Sequence, residues 1–241
     1  MNRAMSGFAA RSEPARPQRG TPRNGVFLSR MHAAAVVPAA GSAERFGGRK
    51  LLADVRGATL IERTVASLRD GGVTDIVVVV GPDTGRLLNA PDVRIVLNPD
   101  PSRGMFSSLQ AGMADLRADA IVILPGDMPF VDPATIRSLL RTFEVRGGIV
   151  SPRFDGKRGH PVVLPPTVGE EIVAAEPTGT LHHVLAAHRE ERIDLDVDDR
   201  GVLRDVDRPE DLVDGAHSGR AQGQGAAPAA ARGPTDGSAN A

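Results

Sequence analysis

Apolar positions along the chain fall into two alternating rhythms. Ala33-Ala-Ala-Val-Val-Pro38 is a short unbroken apolar run, which predicts a buried strand. Thr59-Leu-Ile-Glu62 has the spacing of a capping box and opens a helix whose apolar face is Ile61, Val65 and Leu68. Gly71-Gly72 closes it. Asp75 to Val80 predicts a second strand, and its five consecutive apolar residues require cover on both faces, as in a parallel sheet. A third strand follows at Val93–Leu97, then a helix from about Met105 to Leu116, then a fourth buried strand at Ala120–Leu124. Asp132-Pro133 supplies an N-cap and a proline at the first helical position for a helix running to about Val145. Beyond Gly147 the pattern is shorter and mixed: a strand near Ile149, a turn at Asp155-Gly156, a strand at Val162–Leu164 and two short helices.

Strand–helix alternation with short loops predicts an α/β fold, a doubly wound and mostly parallel sheet, with a small mixed β/α extension. Ligands of such sheets lie beyond the C-terminal strand ends, so the loops after Val37, Leu97 and Leu124 are the ones to read for chemistry.

Composition marks the limits of this pattern. Residues 1–30 carry six Arg and one Glu without hydrophobic periodicity, and from Gly215 onward large apolar residues almost vanish. Both segments read as disordered tails around a domain at 31–214. The Arg-rich arm has a faint transit-peptide character, but the preferred reading is a gene start set too far upstream, with Met31 as initiator. Between Met31 and Asp214 there are 21 basic and 28 acidic residues, a net charge of −7. Such a surface is unsuited to nucleic acid or an anionic membrane. The absence of cysteine excludes disulfides and Cys-ligated zinc, and no apolar run spans a bilayer. The expected location is the cytoplasm.

Only two of the 29 basic residues are lysines, Lys50 and Lys157, and both lie in loops of interest. The first loop, Pro38-Ala-Ala-Gly-Ser-Ala-Glu-Arg-Phe-Gly-Gly-Arg-Lys50, combines small residues with Arg45 and Lys50. It suits close backbone approach to an anion, and equally an ordinary strand-to-helix connection. It is neither a Walker A loop nor Gly-x-Gly-x-x-Gly. The second loop places Ser107 and Ser108 near a helix N-terminus, where serines cap helices or bind ligands. The third, Leu124-Pro-Gly-Asp127-Met-Pro-Phe130, projects an aspartate at the sheet edge, as a turn former or a Mg²⁺ ligand. In the fourth, Lys157, Arg158 and His160 form a compact cationic group around a turn, and Asp207 precedes Arg-Pro-Glu-Asp as a helix cap. The spacing of His182, His183 and His188 is poor for a metal, so they read as structural.

Ala39-Ala-Gly-x-x-x-Arg-Phe-Gly-x-x-Lys-Leu-Leu52 resembles the signature of the MobA-like NTP transferases. Asn98-Pro with Gly104-Met-x-Ser-Ser-Leu109, and Arg158-Gly-His-Pro-Val162, are most similar to the molybdenum cofactor cytidylyltransferases within that family. Pro38 is more typical of the methylerythritol cytidylyltransferases, and Met128-Pro-Phe resembles the guanylyl branch. The resemblance implies a Rossmann-like nucleotidyltransferase fold and an NTP, CTP before GTP, bound by Ala39, Ala40, Gly41, Arg45 and Lys50 with Ser108 at the base. It implies Mg²⁺ on Asp127 and Asp207, with Arg45, Lys50 and Asp127 as the catalytic set. Arg158, Gly159 and His160 would face a phosphorylated acceptor, molybdopterin or molybdenum cofactor, with a molybdoenzyme as downstream recipient. The acceptor phosphate would attack the α-phosphorus and release pyrophosphate, with no general base required. Alternatives are transfer to methylerythritol phosphate or a sugar phosphate, and a non-catalytic cofactor-binding chaperone. A nicotinamide dehydrogenase is disfavoured because no Gly-x-Gly-x-x-Gly follows the first strand.

Overall fold

The computed structural model describes residues 31–41, 50–82 and 92–212. In chain order its strands are β1 (Ala33–Ala39), β2 (Asp54–Val55), β3 (Ala58–Thr59), β4 (Asp75–Val80), β5 (Arg94–Leu97), β6 (Ala120–Ile123), β7 (Ile149–Phe154), β8 (Lys157–Arg158), β9 (Val162–Leu164) and β10 (Arg192–Asp196). Its α-helices are α1 (Leu60–Asp70), α2 (Met105–Met113), α3 (Pro133–Arg146), α4 (Pro166–Ala174) and α5 (Leu181–Ala187).

Local signals set several boundaries. The Thr59 hydroxyl accepts from the Glu62 amide while the Glu62 carboxylate accepts from the Thr59 amide, so α1 starts on a complete capping box. Asp132 caps α3 by accepting from the Ala134 amide at 2.7 Å, with Pro133 in the first helical position. Asp155 and Gly156 both take positive φ, 47° and 75°, the turn that lets β7 fold directly back onto β8.

The main sheet runs β10-β7-β9-β6-β1-β4-β5, with β8 added to β7, and β2 and β3 form a separate hairpin. Strands β5, β4, β1 and β6 are mutually parallel. This is the doubly wound core that the apolar runs predict. Its strands are covered on both faces because alternate residues enter two different cores. Val78 and Val80 pack with Leu60, Leu68, Ile136 and Leu139 of α1 and α3. Val36, Val77 and Val79 pack with Leu109 of α2 and Ile172 of α4 on the opposite face. At Gly112 of α2 an added Cβ would lie 2.6 Å from Val36 Cγ1 and 2.7 Å from Val79 Cγ2, so the helix backbone rests directly on the two valine side chains of the sheet.

Beyond β6 the sheet changes direction. β9 is antiparallel to both β6 and β7, whereas β10 returns parallel to β7. The sequence pattern predicts neither β10 nor the β2–β3 hairpin, and the structure adds both. At the other margin β5 is an edge strand, with Ile95 and Leu97 exposed. Among the described residues, no helix is long and apolar enough to cross a membrane.

Candidate active site

From β1 the chain moves outward through β4 to β5, then crosses back to β6 on the other side of β1. The C-terminal ends of β1 and β6 therefore flank a topological switch point, where doubly wound sheets bind ligands. The two loops that leave this point are tied together: the Gly126 amide donates to the Pro38 carbonyl at 3.0 Å. Buried Thr64 of α1 donates its hydroxyl to the Gly126 carbonyl at 3.1 Å. Asp127 thus projects from a loop held on both sides.

Two other segments reach the same place. A short 3₁₀ turn at Lys50–Leu52 is anchored by buried Leu51. The Lys50 Nζ donates to Asp127 Oδ2 at 2.9 Å and to Asp207 Oδ1 at 3.0 Å. Burial alone would lower the pKa of this ammonium, but the hydrogen bonds and charges of Asp127 and Asp207 outweigh it and raise it above the ordinary lysine value. The side chains are 15% exposed at Lys50, 30% at Asp127 and 55% at Asp207, a graded opening from loop to solvent. Beside them the Val206 amide donates to the Asp127 carbonyl at 2.9 Å. The turn at Pro209 is closed by Asp211, whose Oδ2 accepts the Asp207 and Arg208 amides at 2.9 and 2.7 Å. The Asp207 carboxylate bonds Lys50 rather than an amide of the Pro209 turn, which corrects its helix-cap reading, and Asp211 ties the two amides that precede that turn.

The other predicted residues are distributed around this centre. Ala39 ends β1 and Ala40 follows it, both buried, and Gly41 stands exposed with open space about its Cα. Arg45 lies outside the described residues. Ser108 is buried in the first turns of α2, and buried Asn98 donates its Nδ2 to the hydroxyls of both Ser107 and Ser108, at 2.9 and 3.0 Å. Asn98 was legible in the sequence as the start of the Asn-Pro … Gly-Met-x-Ser-Ser-Leu motif, but its bracing of the two serine hydroxyls was not.

Arg158, Lys157 and His160 do not form one cationic group. Arg158 is exposed on β8 and bonds Asp194 through Nε and Nη2, at 2.6 and 3.0 Å. Gly159 is held by its amide on the Pro152 carbonyl, at 2.9 Å. His160 turns inward, its ring hydrogen-bonded to the Ile123 carbonyl and its Nδ1 without a partner. Burial pushes its pKa down, against the pull of that bond and of the Asp127 charge, so it is neutral at pH 7. His183 and His188 have local partners: the Thr180 hydroxyl caps the His183 amide, and His188 bridges Glu171 and Glu191.

One ammonium and two carboxylates thus meet at the switch point, close to the end of β1. The MobA-like NTP transferase domain matches residues 35–193. The chain belongs to that family. One relative of this MobA-like domain is the molybdenum cofactor cytidylyltransferase of Escherichia coli (strain K12), 22% identical over 184 residues, covering 74% of this chain and 92% of that protein. Another is nicotine blue oxidoreductase of Paenarthrobacter nicotinovorans, 30% identical over 190 residues, covering 73% of this chain and 93% of that protein. Among solved structures, Rv0371c from Mycobacterium tuberculosis H37Rv superposes with a TM-score of 0.67 at 26% identity, covering 76% of this chain and 96% of its own. Its complex with manganese gives a TM-score of 0.63 at 25% identity, over 75% of this chain and 95% of its own.

Proposed function

We propose that this MobA-like domain transfers CMP from CTP, with GMP from GTP as second choice, to a phosphorylated acceptor, molybdopterin or molybdenum cofactor, and releases pyrophosphate. The observation that carries the reading is the Lys50 ammonium bonded at once to Asp127 and Asp207 at the β1–β6 switch point. Two carboxylates already converging on one cation fit a divalent ion. The donors are hard oxygens, which suit Mg²⁺ or Mn²⁺. Among the described residues no cluster of three or more His, Cys, Asp or Glu side chains could hold a metal. Two carboxylates with phosphate oxygens completing the shell is the usual Mg²⁺ pattern. The manganese complex of the Rv0371c neighbour supports a divalent ion here.

Bound at Asp127 and Asp207, the ion would neutralise charge on the phosphate oxygens. The rest is the work of the chain. Lys50, Arg45 and the backbone at Ala39–Gly41 hold the triphosphate, so that negative charge gathering on pyrophosphate as it leaves is met by fixed cations and N–H groups. An acceptor phosphate oxygen forms the new bond to the α-phosphorus while the bond to pyrophosphate breaks. Such an oxygen is already ionised, so no base is needed. Asn98 orients Ser108 toward the base, and Arg158, Gly159 and His160 line the acceptor side. The same frame supports transfer to methylerythritol phosphate or a sugar phosphate, which differ only in the acceptor.

One observation favours a second reading from another class: the relative that is 30% identical over 93% of its length is an oxidoreductase acting on nicotine blue. A single panel separates the readings. Purified protein is given CTP or GTP with Mg²⁺ and each of molybdopterin, molybdenum cofactor, methylerythritol phosphate and a sugar phosphate, and pyrophosphate is measured. Parallel wells contain nicotine blue with a reduced nicotinamide cofactor, followed by absorbance. Pyrophosphate with CTP and a molybdopterin acceptor is the expected result. Dye reduction without pyrophosphate in any well would replace the transferase reading with the redox one.

A further inference from the structure

Asp207 sits on a stretch with little regular structure. Between β10 and Asp207 the chain makes one short 3₁₀ turn, Arg200–Leu203, and is otherwise extended or irregular. A carboxylate on such a stretch is only as well placed as the ties that hold the stretch. The ties run in sequence along a second segment, the one from Asp127 into α3. Asp199 Oδ2 accepts the Asp132 amide at 2.9 Å and the Thr135 hydroxyl at 2.8 Å, while its Oδ1 accepts the Gly201 amide at 2.8 Å. Gly201 lies so close to the Phe130 backbone that an added Cβ would stand 2.1 Å from the Phe130 carbonyl oxygen. Arg204 stacks over the Phe130 ring at 4.1 Å from its centroid. The Val206 amide then reaches the Asp127 carbonyl.

As the numbers rise from Asp199 to Val206 on one segment, they fall from Thr135 to Asp127 on the other. The two segments are zipped antiparallel without forming a sheet, and the zipper ends where the Asp127 and Asp207 carboxylates meet at Lys50. Asp199 closes the far end. It joins three donors through one carboxylate at the N-terminus of α3, where the helix dipole favours an anion. We propose that Asp199 is a positioning residue, which holds the Asp207 segment in register against the Asp127 loop and so sets the two carboxylates for cation binding. This rests on the metal-site reading above and adds to it a residue that touches neither nucleotide nor acceptor.

The test is Mn²⁺ binding, followed by the electron paramagnetic resonance of the free ion, to protein saturated with a non-hydrolysable CTP analogue. Asp199→Ala should weaken Mn²⁺ by about tenfold, the low end of the range for residues that orient ligands. Thr135→Val removes one of the two hydrogen bonds from Asp199 to the other segment and should weaken it by a few-fold. Asp199→Asn keeps the shape and one accepting oxygen and should fall between them, so it carries the test if Asp199→Ala does not fold. Binding of the analogue without metal should stay within about twofold of wild type. A residue of purely structural importance would lower the melting temperature and leave the Mn²⁺ affinity of the folded protein unchanged, and that result would overturn the proposal. If wild-type protein with the analogue takes up no Mn²⁺, the metal-site reading is wrong and the role of Asp199 falls with it. If wild type binds Mn²⁺ and all three variants match it, only the role of Asp199 is rejected.

Discussion

Replacing Lys50 with methionine removes the ammonium while keeping an unbranched stem of similar length. In the ligand-free domain the substitution deletes two charge-assisted hydrogen bonds, at 2.9 Å to Asp127 and 3.0 Å to Asp207, and leaves two carboxylates facing each other. The Asp127 bond is partly buried, so it counts at the lower part of the ~1.5–3 kcal/mol range for bonds to charged groups. Asp207 is more than half exposed, and solvent reduces its contribution to within about 1 kcal/mol. The expected loss is about 2–3 kcal/mol, which lowers the melting temperature of a domain this size by about 5–10 °C. Mn²⁺ added without nucleotide should restore part of that loss in Lys50→Met and have little effect on wild type, because in wild type the ammonium already holds the same oxygens. Pyrophosphate release should fall by ~10²–10³, as when a principal charge stabiliser is removed. The assays are thermal unfolding with and without Mn²⁺, and pyrophosphate detection. An unchanged melting temperature, together with an identical Mn²⁺ response in variant and wild type, would refute the bridged geometry and the reasoning built on it.

Asp127→Ala should keep the fold, judged by circular dichroism, and lose about 10³-fold in turnover; near-normal pyrophosphate release rejects Asp127 as a cation ligand. His188 is held above the ordinary histidine value by hydrogen bonds to Glu171 and Glu191. Its contribution is therefore complete below the unfolded pKa of ~6.5 and is lost as pH rises through the raised folded value. His188→Gln should lower the urea midpoint at pH 5.5 and leave it nearly unchanged at pH 8.5. The opposite pattern contradicts the assignment. Gly112→Ala should cost about 1–3 kcal/mol in urea unfolding, because its methyl meets Val36 and Val79 with no room to retreat; a stabilised variant would show that α2 lifts freely.

Elements built from neighbouring residues were legible in the sequence. The Thr59–Glu62 box, the Asp132-Pro133 start and the Asp155-Gly156 turn all work within a few residues, and each shaped the chain locally as its chemistry requires. The unbroken apolar runs at β1, β4 and β6 implied burial on both faces, and so a parallel sheet with its ligand edge at their C-terminal ends. The family signature nominated Lys50, Asp127 and Asp207, but the direct contact among them joins residues 77 and 157 positions apart, and no local pattern encodes such a meeting.

Tertiary structure alone decided the rest. It turned β9 against its neighbours and brought β10 alongside β7, although the Arg-Ile-Asp-Leu-Asp of β10 is too short and too charged to stand out as a strand. It sent His160 into the interior while Arg158, two residues earlier, faces Asp194 at the surface. It also made Asp199 the knot between two distant segments. Hydrophobic rhythm, caps and turns are properties of adjacent residues, so the chain carries them in plain order. Which side chains finally meet depends on how separate elements pack, and that is a property of the whole sheet with its two cores.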